Sequence, residues 1–117
     1  LLDNGIDVGD LAWYCGNAQT DTNGDKIPSP IALTAPNDWG LYDMHGNVRE
    51  WCHDYYGSYP SAPTIDPLGP IRGRGRVIRG GSFLRTAHEC RSAARKSMEP
   101  SWRGSEIGFR LVLGYPL

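Results

Sequence analysis

Glycine and proline interrupt this chain so often that an architecture of long helices or long strands is excluded. Fifteen glycines and nine prolines make up about a fifth of the 117 residues. Both residue types favour turns and break regular backbone ladders. Side chains must therefore satisfy many backbone N–H and C=O groups. We expect one domain spanning residues 1–117, with a modest core and little regular secondary structure.

The composition is typical of a soluble globular protein, with 39% apolar and 21% charged residues. No apolar run approaches the roughly 20 residues of a membrane helix, and no signal-peptide pattern opens the chain. We therefore expect a soluble protein without a membrane partner, and the sequence indicates no compartment. Because the first residue is Leu1, we expect a processed or trimmed chain, or a piece of a longer one.

Charge is distributed unevenly along the chain. Residues 1–71 hold ten acids against Lys26 and Arg49, a net charge of −8, whereas residues 72–117 hold ten bases against three acids, a net charge of +7. A basic face for nucleic acid is one interpretation. The favoured one is that the two halves fold against each other, with arginines bound to carboxylates and carbonyls. Regularly spaced aromatic residues for base stacking are missing from the basic half, which argues against nucleic acid.

Local patterns predict a few short elements. The stretch 11–15 is a short strand or a helix end, and residues 21–38 and 57–75 are turn-rich loops. Residues 39–56 contain five aromatic rings, a density that predicts core. Alternation predicts strands at 76–79 and 107–113. The three cysteines, Cys15, Cys52 and Cys90, are an odd number and have no CxxC spacing. We therefore expect mostly buried thiols, and a single disulfide between two of them is the alternative.

Four blocks occur in a fixed order: residues 37–51 (NDWGLYDMHGNVREW), 76–83 (RVIRGGSF), 91–95 (RSAAR) and 108–110 (GFR). Together they resemble the signature of the formylglycine-generating-enzyme (sulfatase-modifying-factor) superfamily. The resemblance spans roughly residues 11–113, and nothing matches the N-terminal portion of family members, so we expect a fragment or a minimal form. It implies an α+β, C-type-lectin-like fold with short antiparallel strands.

Arginines are expected to hold such a strand-poor fold together, because each guanidinium carries five N–H donors. The expected internal staples are Arg79, Arg91, Arg95 and Arg110. Gly80, Gly81 and Gly108 would allow close backbone approach or positive φ.

The resemblance implies a structural calcium site formed by Asp43, Gly46, Val48 and Glu50, with two carboxylates and two main-chain carbonyls. Calcium prefers six to eight oxygen ligands, and a turn through Gly46 can supply carbonyls. The alternative is a capped turn with solvated carboxylates. Asn23 and Asp25 fall where the family has a second calcium site, to which the resemblance implies that Asp25 contributes its main-chain carbonyl. The remaining ligands of that second site are not recognisable in the sequence. The segment DTNGD is equally explained as a plain turn without a metal.

The family enzymes oxidise a substrate cysteine with a Cu(I)-binding cysteine pair in the segment after the Gly-Gly-Ser block. Two soft thiolates suit Cu(I), but Arg85 stands at the expected first position and only Cys90 remains. We therefore expect no copper site. The candidate catalytic residues are Ser82, His88 and Cys90, although no orienting group for a nucleophile–base pair is recognisable. We expect the His45 side chain to be solvated.

Two functions remain open. One is a calcium-stabilised binding module whose segment 83–107 recognises an unknown protein or small molecule. Its expected contact residues are Phe83, Arg85, Lys96, Trp102 and Arg103, since aromatic and Arg side chains dominate hot spots. This arrangement is similar to the variable proteins of diversity-generating retroelements. The alternative is an enzyme of the superfamily, forming formylglycine or performing altered chemistry.

Overall fold

The computed structural model describes residues 7–114, and its regular elements are few and short. They are helix α1 (Val8–Leu11), strands β1 (Ala12–Trp13), β2 (His45–Gly46), β3 (Arg49–Tyr55), β4 (Arg76–Arg79), β5 (Arg95–Met98) and β6 (Ile107–Gly108), and a 3₁₀ helix (Ala87–Cys90). Within the described range no helix is long and apolar enough to cross a membrane. The short helices and strands confirm the predicted α+β class with little regular secondary structure.

A four-stranded sheet in the order β5-β4-β3-β6 is the largest element. Strand β4 pairs antiparallel with β3 and β5, as expected, but β6 runs parallel to β3. A second, parallel pair joins β1 to β2. Segment 11–15 therefore contains both of its alternatives, a helix end and a short strand.

The last strand is shorter than predicted. The prediction covered residues 107–113, but β6 ends at Gly108 after pairing only with Arg49 and Glu50 of β3. Next along the chain, the Arg110 side chain turns back to Glu50, and Leu111 and the residues after it are exposed. Alternation of apolar residues indicated a strand, but among residues 7–114 no neighbouring strand pairs with the chain beyond Gly108.

The core lies around β4 and the Gly-Gly-Ser turn. The prediction that the aromatic segment 39–56 forms the core is therefore wrong. The buried apolar residues are Ala12, Val77, Ile78, Phe83 and Cys90. Trp39 is 85% exposed, because it lies in a tight turn in which the Asn37 carboxamide accepts from the Trp39 and Leu41 amides. Tyr42 and Tyr56 are also exposed, and only the rings on β3 are half-buried.

Arginine side chains tie the loops to the sheet, as expected for three of the four staples. Arg79 donates to the Ser92 carbonyl and the Tyr59 hydroxyl. Arg95 donates to the Gly57 carbonyl at 2.5 Å. Arg110 binds Glu50 and the Tyr42 carbonyl. Arg91 differs, because its exposed side chain donates only to the His88 carbonyl three residues away.

Candidate functional site

The segment from Asp43 to Glu50, called here the Asp43–Glu50 turn, runs through β2 into the start of β3, and three left-handed residues make its backbone irregular. Asp43, Gly46 and Asn47 have φ values of 55°, 84° and 60°, a region that suits Gly and is tolerated by Asp and Asn. Gly46 lies against β1, where a Cβ atom would stand 2.0 Å from the Trp13 carbonyl oxygen. The turn therefore requires glycine at this position.

Asn47 anchors this turn, and the sequence analysis did not single it out. Its buried carboxamide accepts from the Ser29 amide at 3.0 Å and donates to the Ser29 carbonyl at 3.1 Å. Its own amide donates to the Trp13 carbonyl, and its carbonyl accepts from the Phe83 amide. One residue thus joins the loop 21–38, β1 and the Gly-Gly-Ser block.

The four predicted calcium ligands line one cavity of about 370 Å³, together with Arg110. The Asp43 carboxylate accepts from the Ala32 amide through Oδ2 at 2.7 Å. Its Oδ1 is buried and has no hydrogen-bond partner among residues 7–114. An unpartnered buried carboxylate oxygen is costly, and a cation would offset that cost.

Glu50 already has a cation beside it in this cavity. Arg110 donates from Nε to Oε2 at 2.9 Å and from Nη2 to Oε1 at 2.6 Å. These hydrogen bonds raise the pKa of Arg110 above its usual value, against the effect of burial. A calcium ion would have to share the Glu50 carboxylate with Arg110.

Asn23 and Asp25 lie in an exposed turn that closes on itself. Asp21 accepts from the amides of both residues through Oδ1, and its own amide donates to the Asp25 carbonyl. That carbonyl is the oxygen expected to contribute to the second calcium site. No group of three His, Cys, Asp or Glu side chains in the described part of the chain is placed to hold a metal. The second site stays a prediction.

A polar cluster of buried Ser82 and Glu106 with partly exposed Arg85 lies where the family's copper chemistry would be expected. Ser82 is fully buried and donates to Glu106 Oε2 at 2.8 Å. Arg85 donates to both Glu106 oxygens, at 2.9 and 2.6 Å. These bonds, chiefly those from Arg85, lower the pKa of the Glu106 carboxyl despite its burial. The sequence analysis missed Glu106, although its position just before the Gly-Phe-Arg block was a signal.

The three catalytic candidates make no side-chain hydrogen bonds to one another within residues 7–114. The Ser82 hydroxyl is committed to Glu106. Cys90 is buried, its Sγ lies 3.6 Å from the Thr86 carbonyl, and burial raises the pKa of its thiol. His88 is exposed. A thiol that resists ionisation is a poor nucleophile.

Two further predictions are corrected or refined by the contacts. His45 is not merely solvated, because it is half-buried and its Nδ1 lies 2.8 Å from the Cys90 carbonyl oxygen. All three cysteines are free thiols, but only Cys90 is buried, whereas Cys15 and Cys52 are partly exposed.

The predicted ligand contacts differ in accessibility. Phe83 is 1% exposed and belongs to the core, so it is excluded as a surface contact. Its amide donates to the Asn47 carbonyl at 2.8 Å, which ties this position to the Asp43–Glu50 turn. Arg85 is held by Glu106, and Lys96 by Glu89. Trp102, which is 37% exposed, and the exposed Arg103 remain available.

A family model described as "Sulfatase-modifying factor enzyme 1-like domain" matches residues 6–114. The formylglycine-generating enzyme of Streptomyces coelicolor is 39% identical over 110 residues, covering 84% of this chain and 35% of that enzyme. The solved structure titled "Treponema denticola variable protein 1" matches with a TM-score of 0.76 and 36% identity, covering 87% of this chain and 35% of that one.

A second solved structure, PvdO from Pseudomonas aeruginosa, matches with a TM-score of 0.72 and 32% identity, covering 93% of this chain and 42% of that one. The chain thus spans about a third to two-fifths of the length of these relatives. With a family model that covers residues 6–114, the chain belongs to the sulfatase-modifying-factor family, that of the formylglycine-generating enzymes.

Proposed function

We propose that this domain is a calcium-stabilised binding module for a protein or small-molecule ligand, without copper-dependent oxidase activity. One observation carries the part of the proposal that denies oxidase activity. Arg85, at the position expected for the family's first copper-binding cysteine, forms a two-point ion pair with Glu106. A guanidinium cannot bind Cu(I), which requires soft sulfur ligands. The cluster therefore has a structural role in place of a redox one.

The remaining thiol does not compensate for the missing one. Cys90 is buried, and burial raises the pKa of its thiol, which favours the protonated form. Cu(I) binding needs the thiolate. The prediction against copper thus follows from the chemistry of the residues present.

Calcium is supported by the donor set of the Asp43–Glu50 turn. The unpartnered Oδ1 of Asp43 and the Glu50 carboxylate lie on the cavity that Gly46 and Val48 also line. When bound, calcium would hold the two ends of the turn together. Because Arg110 already neutralises Glu50, the site carries less net negative charge, and its affinity should be lower than that of a fully acidic site.

The test is thermal unfolding of the chain in chelator, followed by calcium or magnesium addition. Calcium should raise the melting temperature saturably, because a ligand at 100 times its Kd contributes about 2.7 kcal/mol. Asp43→Ala should abolish the response, whereas the matched control Asp38→Ala, at an exposed position, should keep it. A flat response of the native chain to calcium would reject the site.

The enzyme reading retains support from relatives named formylglycine-generating enzyme at 36–39% identity. It is tested by oxygen uptake with a cysteine-containing sulfatase peptide, with and without copper. We expect no turnover by the folded, copper-loaded chain. Turnover that is lost in Cys90→Ser but kept in Cys52→Ser would overturn the proposal and establish Cys90 as its nucleophile.

Of the predicted ligand contacts, we propose Trp102 and Arg103 as the main ones, because both are exposed and follow β5 in the chain. The likeness to a solved structure titled as a variable protein supports a recognition role for this segment. A near-duplicate template repeat and a reverse-transcriptase gene beside the coding DNA would support diversified recognition. The absence of both from the neighbouring DNA would reject diversified recognition.

A further inference from the structure

A second cavity, of about 320 Å³, lies between β4, β5 and the 3₁₀ helix, and of the segment Asp43–Glu50 only Arg49 lines it. Five cationic residues line it together with Glu89: Arg49, Arg79, Arg91, Arg95 and Lys96. The Arg79 and Arg95 guanidiniums bind Tyr59 and Gly57, which lie outside this lining, so Arg49, Arg91 and Lys96 against Glu89 leave a formal charge of +2. Its volume is at the lower end of the range for small-molecule sites, about 300–1,000 Å³. A concave wall of one sign concentrates the local potential and attracts anions.

Arg49 is the buried centre of this cavity and is weakly paired. Its side chain is 6% exposed. Within residues 7–114 its guanidinium has one hydrogen-bond partner, Glu89 Oε1 at 3.5 Å, and Glu89 also binds Lys96. A buried cation needs close pairing to offset its desolvation. The remaining Arg49 donors are therefore available to a ligand in the cavity.

The neighbouring arginines are held in position by the protein. Arg79 is fixed by the Ser92 carbonyl and the Tyr59 hydroxyl, and Arg95 by the Gly57 carbonyl. The Arg95 guanidinium also stacks over the Tyr59 ring at 3.8 Å. These partners lie outside the residues that line the cavity. Arg79 and Arg95 therefore form part of its wall, and Arg49, Arg91 and Lys96 are the cations left to contact a ligand.

We propose that this cavity binds a tetrahedral oxyanion, a phosphate or sulfate group, with Arg49 as its principal ligand and Lys96 and Arg91 at its mouth. A dianion with oxygens on all sides can accept from cations on several walls, whereas a single carboxylate suits one arginine fork. The inference goes beyond the proposed function and holds whether or not the domain binds calcium.

The experiment titrates the full chain with inorganic phosphate, sulfate or acetate at constant ionic strength, using calorimetry and thermal unfolding. Phosphate and sulfate should bind saturably, and acetate at least tenfold more weakly. Arg49→Met and Lys96→Gln should each weaken phosphate binding about tenfold or more, the factor expected for one charge-assisted contact. The matched control Arg72→Gln, exposed and outside the cavity, should leave binding unchanged.

A second readout separates binding from structure. In anion-free buffer Arg49→Met should melt no lower than the native chain, because it removes a poorly paired buried charge. A large fall in the melting temperature of Arg49→Met would contradict the weak pairing of Arg49. The phosphate affinity of Lys96→Gln would then show whether the cavity binds the anion. Equal phosphate affinity of Lys96→Gln and Arg72→Gln would indicate an adventitious ion only. Acetate binding as tight as phosphate would overturn the tetrahedral class.

Discussion

At the scale of single residues, backbone geometry restricts the Asp43–Glu50 turn more than side-chain chemistry does. Gly46 combines a φ of 84° with a close approach to the Trp13 carbonyl. Gly24 has a similar φ of 86°, but no atom lies within 4 Å of its Cβ position. The two glycines therefore separate the cost of backbone strain from the cost of steric overlap.

Gly46→Ala should lower the free energy of unfolding by about 3 kcal/mol or more, as strain and overpacking add. Gly24→Ala, the matched control, should cost only the strain of a left-handed alanine, about 1–2 kcal/mol. Urea denaturation measures both. Equal costs would show that β1 moves away freely from the turn.

Glu106 should make stability depend on pH. Its folded-state pKa is lowered below the usual 4.5, mainly by Arg85, so its contribution is present above that value and is lost as pH falls through the folded-state pKa. Glu106→Gln should cost about 2–3 kcal/mol at pH 7. The difference should shrink below about pH 4.5, whereas exposed Glu99→Gln should change little at any pH. A constant difference in acid would contradict this assignment.

At the scale of elements, β4 is the centre of the molecule. It is hydrogen-bonded to β3 on one side and β5 on the other, and its two middle residues, Val77 and Ile78, are each 1% exposed on opposite faces. Strand β4 is therefore buried on both sides over two residues. Arg76 and Arg79 end it and bind carbonyls of the neighbouring segments.

Ile78→Ala should lower the free energy of unfolding by about 2–5 kcal/mol, because it leaves a cavity in this core. The same substitution at Ile71, which is 93% exposed, should stay within about 0.5 kcal/mol. Chemical denaturation of both variants is the measurement. Similar losses would mean that Ile71 is covered in solution.

At the scale of the whole molecule, folding resolves the uneven charge distribution. Arginines of the basic half bind groups of the acidic half, as the sequence predicted: Arg76 to His53, Arg79 to Tyr59, Arg95 to Gly57, and Arg110 to Tyr42 and Glu50. Most of these acceptors are neutral oxygens. The halves are therefore joined more by hydrogen bonds to arginine than by matched charges.

A double-mutant cycle on Arg110 and Glu50, run in chelator to exclude calcium, should give a coupling energy of about 1 kcal/mol. Both side chains are partly exposed, at 33% and 24%, which keeps the pair near the strength of surface ion pairs. The coupling should decrease with added salt. A coupling of zero at low salt would remove this pair as a link between the halves.

The sequence by itself determined what is encoded within a few residues. It predicted the turn-rich loops and the strand Arg76–Arg79 before Gly80 and Gly81, because local alternation and turn chemistry require no distant partner. It also determined the family through four ordered blocks.

Only the tertiary structure decided which residues meet across long separations. It buried Phe83, exposed Trp39, paired His45 with the Cys90 carbonyl and ended β6 at Gly108. It also brought Glu106 to Arg85. The contacts named here join residues from 21 positions apart, Arg85 and Glu106, to 58 positions apart, Glu50 and Gly108. The burial of a side chain depends on what packs against it, and local periodicity carries no information about a distant surface.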